Sequence, residues 1–173
     1  CNTEGLKGVR LKLWPEIVCD ALSLELKNCG HTMSTTRELL FYNRDFPAFS
    51  YSLAFIQYGL VDSWLTFRGA PYVLYYPDNP RRKVARKMVK KLKKLARAWH
   101  FHDRIGAVEQ VPLPEYISNI QHVVDSAPGT VFVLVATAPN LDEPRNPRIK
   151  QYNEALREIA QSRENVVYAE TFK

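Results

Sequence analysis

A continuous apolar run at 130–136, TVFVLVA, constrains the fold of this chain more than any other segment. A run of branched apolar residues of this length is typical of a strand buried inside a parallel sheet. It is followed by a proline-containing loop at 137–147, a helical apolar pattern at 147–163 and a short strand pattern at 165–170. Strand, helix and strand in this order predict two parallel strands joined by a helical crossover.

The preceding segments alternate in the same way. Apolar spacing predicts helices at 13–22, 34–40, 80–99 and 114–126, strands at 24–27 and 49–59, and irregular chain at 63–80 and 104–112. Ser34 is the expected cap of the second helix. Together these patterns predict one α/β domain over residues 1–173, with three α/β/α layers and a mostly parallel sheet. In such sheets ligands bind beyond the carboxyl ends of the strands.

Composition and cysteine usage narrow the class of protein. Hydrophobic residues make up 46% of the chain and charged residues 24%, a balance that excludes a mainly disordered chain or a disulfide scaffold. No apolar stretch approaches the roughly 20 residues of a membrane span. The three cysteines, at positions 1, 19 and 29, cannot all pair, which favours a reducing, cytoplasmic setting. A lipid-modified Cys1 in a cell envelope is the alternative.

The positive charge is concentrated in one element. The chain has a net charge of +6, yet residues 80–99 contain ten basic residues and no acidic one. The rest of the chain carries 14 basic and 18 acidic residues and is therefore negative. Apolar side chains recur through the basic segment at helical steps, at Val84, Met88, Leu92, Leu95 and Trp99.

Two interpretations of this basic helix stay open. The first is a surface helix whose apolar stripe packs on the core and whose cations are solvated. The second is a docking surface for an anionic lipid, an acidic glycan or another anionic partner, with candidate contacts at Arg82, Lys83, Arg86, Lys90 and Lys94. Nucleic acid is not the expected partner because no recognised nucleic-acid module surrounds the helix. The sequence does not indicate an oligomeric state.

Several short blocks resemble those of the SGNH (GDSL-type) hydrolase family. Cys1-Asn2-Thr3-Glu4-Gly5 is similar to the continuation of the family's nucleophile block, with Cys1 at the position of its serine, and a Trp14-Pro15-Glu16 helix follows. Asn28-x-Gly30 resembles the second block, and residues 57–62 resemble the third, which ends at Asp62. The late segments 137–139 and 152–156 also resemble that family, so the resemblance covers nearly the whole chain.

The resemblance implies a flavodoxin-like architecture and hydrolysis of an ester, either an O-acylated glycan or a small acyl ester. Cys1 would be the nucleophile, with Asn2 supporting it. Gly30 and Gly59 would line the oxyanion region, and Asp62 would hold the loops together. The resemblance implies neither a metal nor an organic cofactor.

The chain departs from the family pattern in ways that keep a second function open. Val61 stands where the third block has an asparagine, and no Asp-x-x-His block supplies a base. We expect the natural chain to continue beyond Lys173, where the resemblance places that block, and to begin before Cys1 with a central strand. The alternative is a catalytically silent binding module of the same fold that docks through the basic helix.

Two other classes of site are less favoured by the sequence. A nucleotide-binding fold would also alternate strands and helices, but neither a G-x-G-x-x-G nor a G-x-x-x-x-G-K-[ST] loop occurs. His100 and His102 could share a metal on an extended segment, yet no further ligand cluster lies near them in the sequence. His31 and His122 are expected on the surface. No metal site is therefore predicted.

Overall fold

A computed structural model describes residues 12–100 and 104–172, and the chain divides into two compact units on either side of the Ser34–Thr35 bond. The first unit contains helix α1, Trp14–Leu22. The second contains helices α2 Thr36–Asp45, α3 Pro80–Ala98, α4 Leu113–Asp125 and α5 Asn146–Gln161, with strands β1 Leu53–Ile56, β2 Leu65–Phe67, β3 Ala107–Glu109, β4 Val131–Val135 and β5 Val166–Ala169.

The second unit is built on a small parallel sheet in the order β1–β4–β5. Leu53 is in register with Val131 of β4, and Phe132 of β4 is in register with Val166 of β5. The strand–helix–strand crossover predicted around residues 130–170 is confirmed, and so is the α/β class. The antiparallel pair of β2 and β3 forms a second sheet.

One face of the parallel sheet carries the core. Ile56, Phe132, Leu134 and Val166 are buried there, together with apolar side chains of α4 and α5, which are Tyr116, Ile120, Val123, Val124, Tyr152, Leu156 and Ile159. The apolar side of each helix is therefore buried, whereas Ile117 of α4 is half-buried. Val131 and Val167 are exposed, and a second helical layer stays a prediction.

Several predicted elements differ from the structure. Residues 24–27 form no strand, because no strand of the described residues pairs with their backbone groups. Thr35 rather than Ser34 caps α2, since Thr35 and Glu38 form a reciprocal capping box. The strand predicted at 49–59 is confined to β1, and a 3₁₀ turn at Ala48–Ser50 precedes it. The segments predicted to be irregular include β2 and β3, three residues each, which pair with each other.

Helix α1 forms where predicted, but its apolar side chains are not all inward. Pro15 and Cys19 are buried, whereas Ile17 and Leu22 are each more than half exposed. Glu16 closes the first turn by accepting a hydrogen bond from the Leu13 backbone N–H at 2.8 Å. No helix within the described ranges 12–100 and 104–172 has the length and hydropathy needed to cross a membrane.

Candidate functional site

The segment that follows β1 is anchored to the segment that follows β4. The hydroxyl groups of Thr137 and Tyr116 each donate a hydrogen bond to the Tyr58 carbonyl oxygen at 3.1 Å. Gly59 comes next with a φ of +124°, and a Cβ there would lie 3.0 Å from the Thr137 Oγ1 atom. Both the backbone angle and the close approach therefore require glycine at position 59.

Asp62 is fully buried and links this turn to the start of α2. Its Oδ1 accepts hydrogen bonds from the Thr36 backbone N–H and the Thr36 hydroxyl, both at 2.8 Å. Its Oδ2 accepts from the Gly59 N–H at 3.2 Å. Burial raises the pKa of Asp62 to about 6, and the hydrogen bonds from Thr36 and Gly59 oppose that rise. Asn119 of α4 completes the cluster by donating to the Thr36 hydroxyl oxygen at 3.2 Å.

A second buried carboxylate, Glu38, organises the loop before α3. It accepts hydrogen bonds from the Thr35 N–H at 2.9 Å and from the Thr35 hydroxyl at 2.6 Å. It also accepts from the Tyr72 hydroxyl at 2.7 Å and from the Tyr75 N–H at 2.7 Å. Burial and the charge of Glu38 raise the pKa of Tyr72. Glu38 was not among the residues predicted for the site, although Thr35-x-x-Glu38 is the pattern of a capping box.

Two further contacts fix the helices around these carboxylates. Arg37 of α2 forms a bidentate pair with Glu115 of α4, at 2.5 and 2.7 Å, and lowers the pKa of Glu115. The buried Asn153 side chain accepts a hydrogen bond from the Thr137 N–H and donates one to the Thr137 carbonyl, both at 2.9 Å. The backbone after β4 is thereby held by a helix side chain as it would be held by a neighbouring strand.

The predicted hydrolase residues fall into three groups. Cys1 and Asn2 lie outside the described residues. Gly30 belongs to the first unit, where its N–H donates to the Asn28 side chain at 2.8 Å. Gly59 and Asp62 belong to the second unit and are brought together by their hydrogen bond. The amides of both glycines are thus engaged by side chains two or three residues away.

The predicted anion-binding residues of α3 divide into two sets. Arg82 donates to the Pro77 carbonyl at 2.7 Å, and Arg86 donates to the Leu74 carbonyl at 2.9 Å and to Asp78 at 2.5 Å. These two arginines hold the loop that precedes the helix. Lys90 and Lys94 are exposed. Lys83 is also exposed, with its Nζ atom 3.3 Å from Asp78 Oδ2.

The apolar stripe of α3 does not pack on the core. Val84, Met88, Leu92, Leu95 and Trp99 are between 43% and 67% exposed, whereas Ala96 on another side of the helix is buried. Of the two interpretations that the sequence left open, the one in which this stripe packs on the core is therefore wrong. The inward side combines the buried Ala96 with polar side chains. Arg82, Arg86 and Lys93 find acceptors there, Lys93 at the Gln110 side chain 2.6 Å away.

Cysteine and histidine side chains form no metal cluster in the part of the chain that the structure describes: no three His, Cys, Asp or Glu residues converge there. Cys19 is buried and Cys29 is half-buried, both with free thiols. Burial raises the pKa of the Cys29 thiol. His31, His100 and His122 are exposed, and His102 lies outside the described residues.

Compared with known proteins, the chain matches no family model and no curated sequence.

Proposed function

We propose that this chain is an ester hydrolase of SGNH-like, three-layer architecture that acts by covalent acyl transfer. The observation that best supports the proposal is the ordered edge of the parallel sheet, where Gly59, Asp62 and Thr137 follow β1 and β4. Ligands of parallel α/β sheets bind beyond this end of the strands. The resemblance of residues 1–5, 28–30 and 57–62 to the family blocks supplies the reaction class.

In this proposal a general base takes the proton of the Cys1 thiol. The sulfur then attacks the ester carbonyl, and the collapsing tetrahedral intermediate expels an alcohol that takes the proton from that base. Water hydrolyses the resulting thioester to a carboxylic acid and restores the thiol. The substrate is an O-acylated glycan or a small acyl ester.

Gly59 lines the oxyanion region in this proposal. Because its amide already donates to Asp62, an oxyanion bound there shares this donor with the carboxylate. An oxyanion donor contributes roughly 3–4 kcal/mol to the transition state. Asp62 is a positioning residue in this proposal, because it holds the turn that contains Gly59.

The test is release of acetate from aryl acetates and sugar acetates by the full-length natural protein. The Cys1→Ala variant is expected to lose activity, while Cys29→Ala, which removes another thiol that is not in the core, retains it. Equal rates for wild type and Cys1→Ala would remove Cys1 from the mechanism.

A second candidate function is supported by α3. Its exposed side carries Arg81, Lys83, Lys87, Lys90, Lys91, Lys94 and Arg97. A catalytically silent binding module would dock on an anionic partner through these cations. Adsorption to anionic vesicles or acidic polysaccharide is then expected to weaken as salt rises, because exposed charges are screened. Binding that is constant from low to high salt would contradict this function.

A further inference from the structure

The exposed apolar stripe of α3 forms one continuous surface. At about 100° per residue, its five members Val84, Met88, Leu92, Leu95 and Trp99 lie within an arc of about 80°. They extend over most of a helix of 19 residues, which is about 28 Å long. Isolated exposed apolar side chains are ordinary, but a row of five along one helix marks an interaction surface.

The stripe is held outward by contacts on the other side of the helix. Arg86 donates to the Leu74 carbonyl and to Asp78 and stacks over the Tyr75 ring at 4.8 Å. Lys93 donates to Gln110, and Ala96 is buried. Turning the stripe toward the core would break these hydrogen bonds of Arg86 and Lys93. The exposure of the stripe is therefore a property of the folded unit.

Cations border the stripe on the side that faces solvent. Lys91 lies next to it on the helical wheel, at about 20° from Val84, and Lys87, Lys94, Lys83, Lys90 and Arg97 continue around the same side. The helix has no acidic residue. The exposed surface of α3 thus consists of an apolar strip with a cationic flank, and Arg81 lies at the start of the strip.

This combination decides between the possible occupants. A second copy of α3 would bring the same cations close to one another, and like charges repel. An acidic glycan or a nucleic acid would pair with the cations but leave the apolar strip in water. A membrane surface with anionic lipids satisfies both features, because apolar side chains enter the acyl boundary while the cations meet the head groups.

We propose that α3 lies in the interfacial plane of a bilayer that contains anionic phospholipids, with Val84, Met88, Leu92, Leu95 and Trp99 on its lipid side. This inference rests on the second candidate function and names its partner. It does not depend on the ester hydrolase proposal.

The experiment measures partition of the full-length protein onto vesicles of phosphatidylcholine with and without phosphatidylserine. The Met88→Gln/Leu92→Gln variant removes apolar groups that are exposed in the fold and is expected to lower partition at least tenfold. The Lys87→Gln/Lys91→Gln variant should lower partition about thirtyfold on anionic vesicles. Leu141→Gln, at a fully exposed leucine in the loop after β4, is the matched control and should bind like wild type.

Tryptophan emission reports insertion directly. On anionic vesicles the emission should shift to shorter wavelength, and Trp99→Phe should remove that shift. If the lysine variant weakens binding and the Met88/Leu92 variant does not, docking is purely electrostatic and the bilayer inference is overturned. If the protein binds vesicles and neither variant changes that binding, α3 is not the docking surface and the second candidate function fails as well. A salt-sensitive complex with heparin and none with vesicles would also overturn the inference.

Discussion

Replacing Asp62 by asparagine should remove part of the pH dependence of the free energy of unfolding. Burial raises the pKa of this carboxyl to about 6 in the folded protein, against 3.8 for the unperturbed group. The folded state therefore holds the proton more tightly than the unfolded state does. Its contribution to the free energy of unfolding is fully present below pH 3.8 and is lost as the pH rises through 6.

The magnitude follows from the difference between the two pKa values. About two pKa units correspond to about 3 kcal/mol, of which about 2 kcal/mol falls between pH 4.5 and 8. The free energy of unfolding of wild type minus that of Asp62→Asn should therefore decrease by about 2 kcal/mol over this range. Urea denaturation followed by circular dichroism at each pH measures the difference.

Asp125 provides a control of opposite sign. Arg163 donates to this exposed carboxylate at 2.8 Å and lowers its pKa. Its contribution to stability is present above the unfolded pKa and is lost as the pH falls, so the difference between wild type and Asp125→Asn should rise with pH. If the difference for Asp62→Asn does not change with pH, or rises with pH as it does for Asp125→Asn, then burial does not raise the pKa of Asp62.

Three further variants, together with two reference variants, test the contacts of the candidate site by thermal and urea unfolding. Gly59→Ala should destabilise the protein by about 2 kcal/mol, because φ is positive and the new Cβ meets Thr137, whereas Gly129→Ala, with open space, should be near neutral. Asn153→Ala should cost about 2–3 kcal/mol because two buried backbone groups lose their partners. Glu38→Gln should lower the free energy of unfolding by about 2 kcal/mol, because the new amide NH₂ group would face a hydrogen-bond donor of Thr35, Tyr72 or Tyr75. Tyr72→Phe should lower it by less. A neutral Gly59→Ala, or Tyr72→Phe as costly as Glu38→Gln, would contradict these assignments.

The elements that the sequence predicted well are those with strong local periodicity. The run at 130–136 and the helical steps of α4 and α5 are confirmed because burial of these faces stabilises the same elements that the pattern favours. Residues 24–27 have the composition of a strand, but a strand also requires a paired neighbour, which composition does not report. Strands β2 and β3 are too short for their alternation to be recognised.

Helix α3 shows the limit of periodicity most clearly. The spacing predicted the helix and its apolar stripe but left open whether that stripe packs on the core or stays exposed. The orientation is set by Arg86 and Lys93, which bond to Leu74, Asp78 and Gln110. None of these partners can be inferred from the spacing of the helix itself.

The candidate site was predicted in part. Asp62 came from the family resemblance, but its bond to Thr36 joins residues 26 positions apart and has no local signal. Glu38 has a local signal, the capping box, yet its bonds to Tyr72 and Tyr75 again depend on the fold. The roles of Cys1, Asn2 and Gly30 remain predictions from the resemblance.

The most direct test of the proposed hydrolase is to trap its covalent intermediate. The full-length protein is quenched with acid during turnover of an aryl acetate, and its peptides are analysed by mass spectrometry. If the proposed mechanism is correct, Cys1 carries one acetyl group during turnover, and this group disappears when the substrate is exhausted. Turnover with no acetyl group on Cys1, or with acetylation confined to lysines, would contradict it.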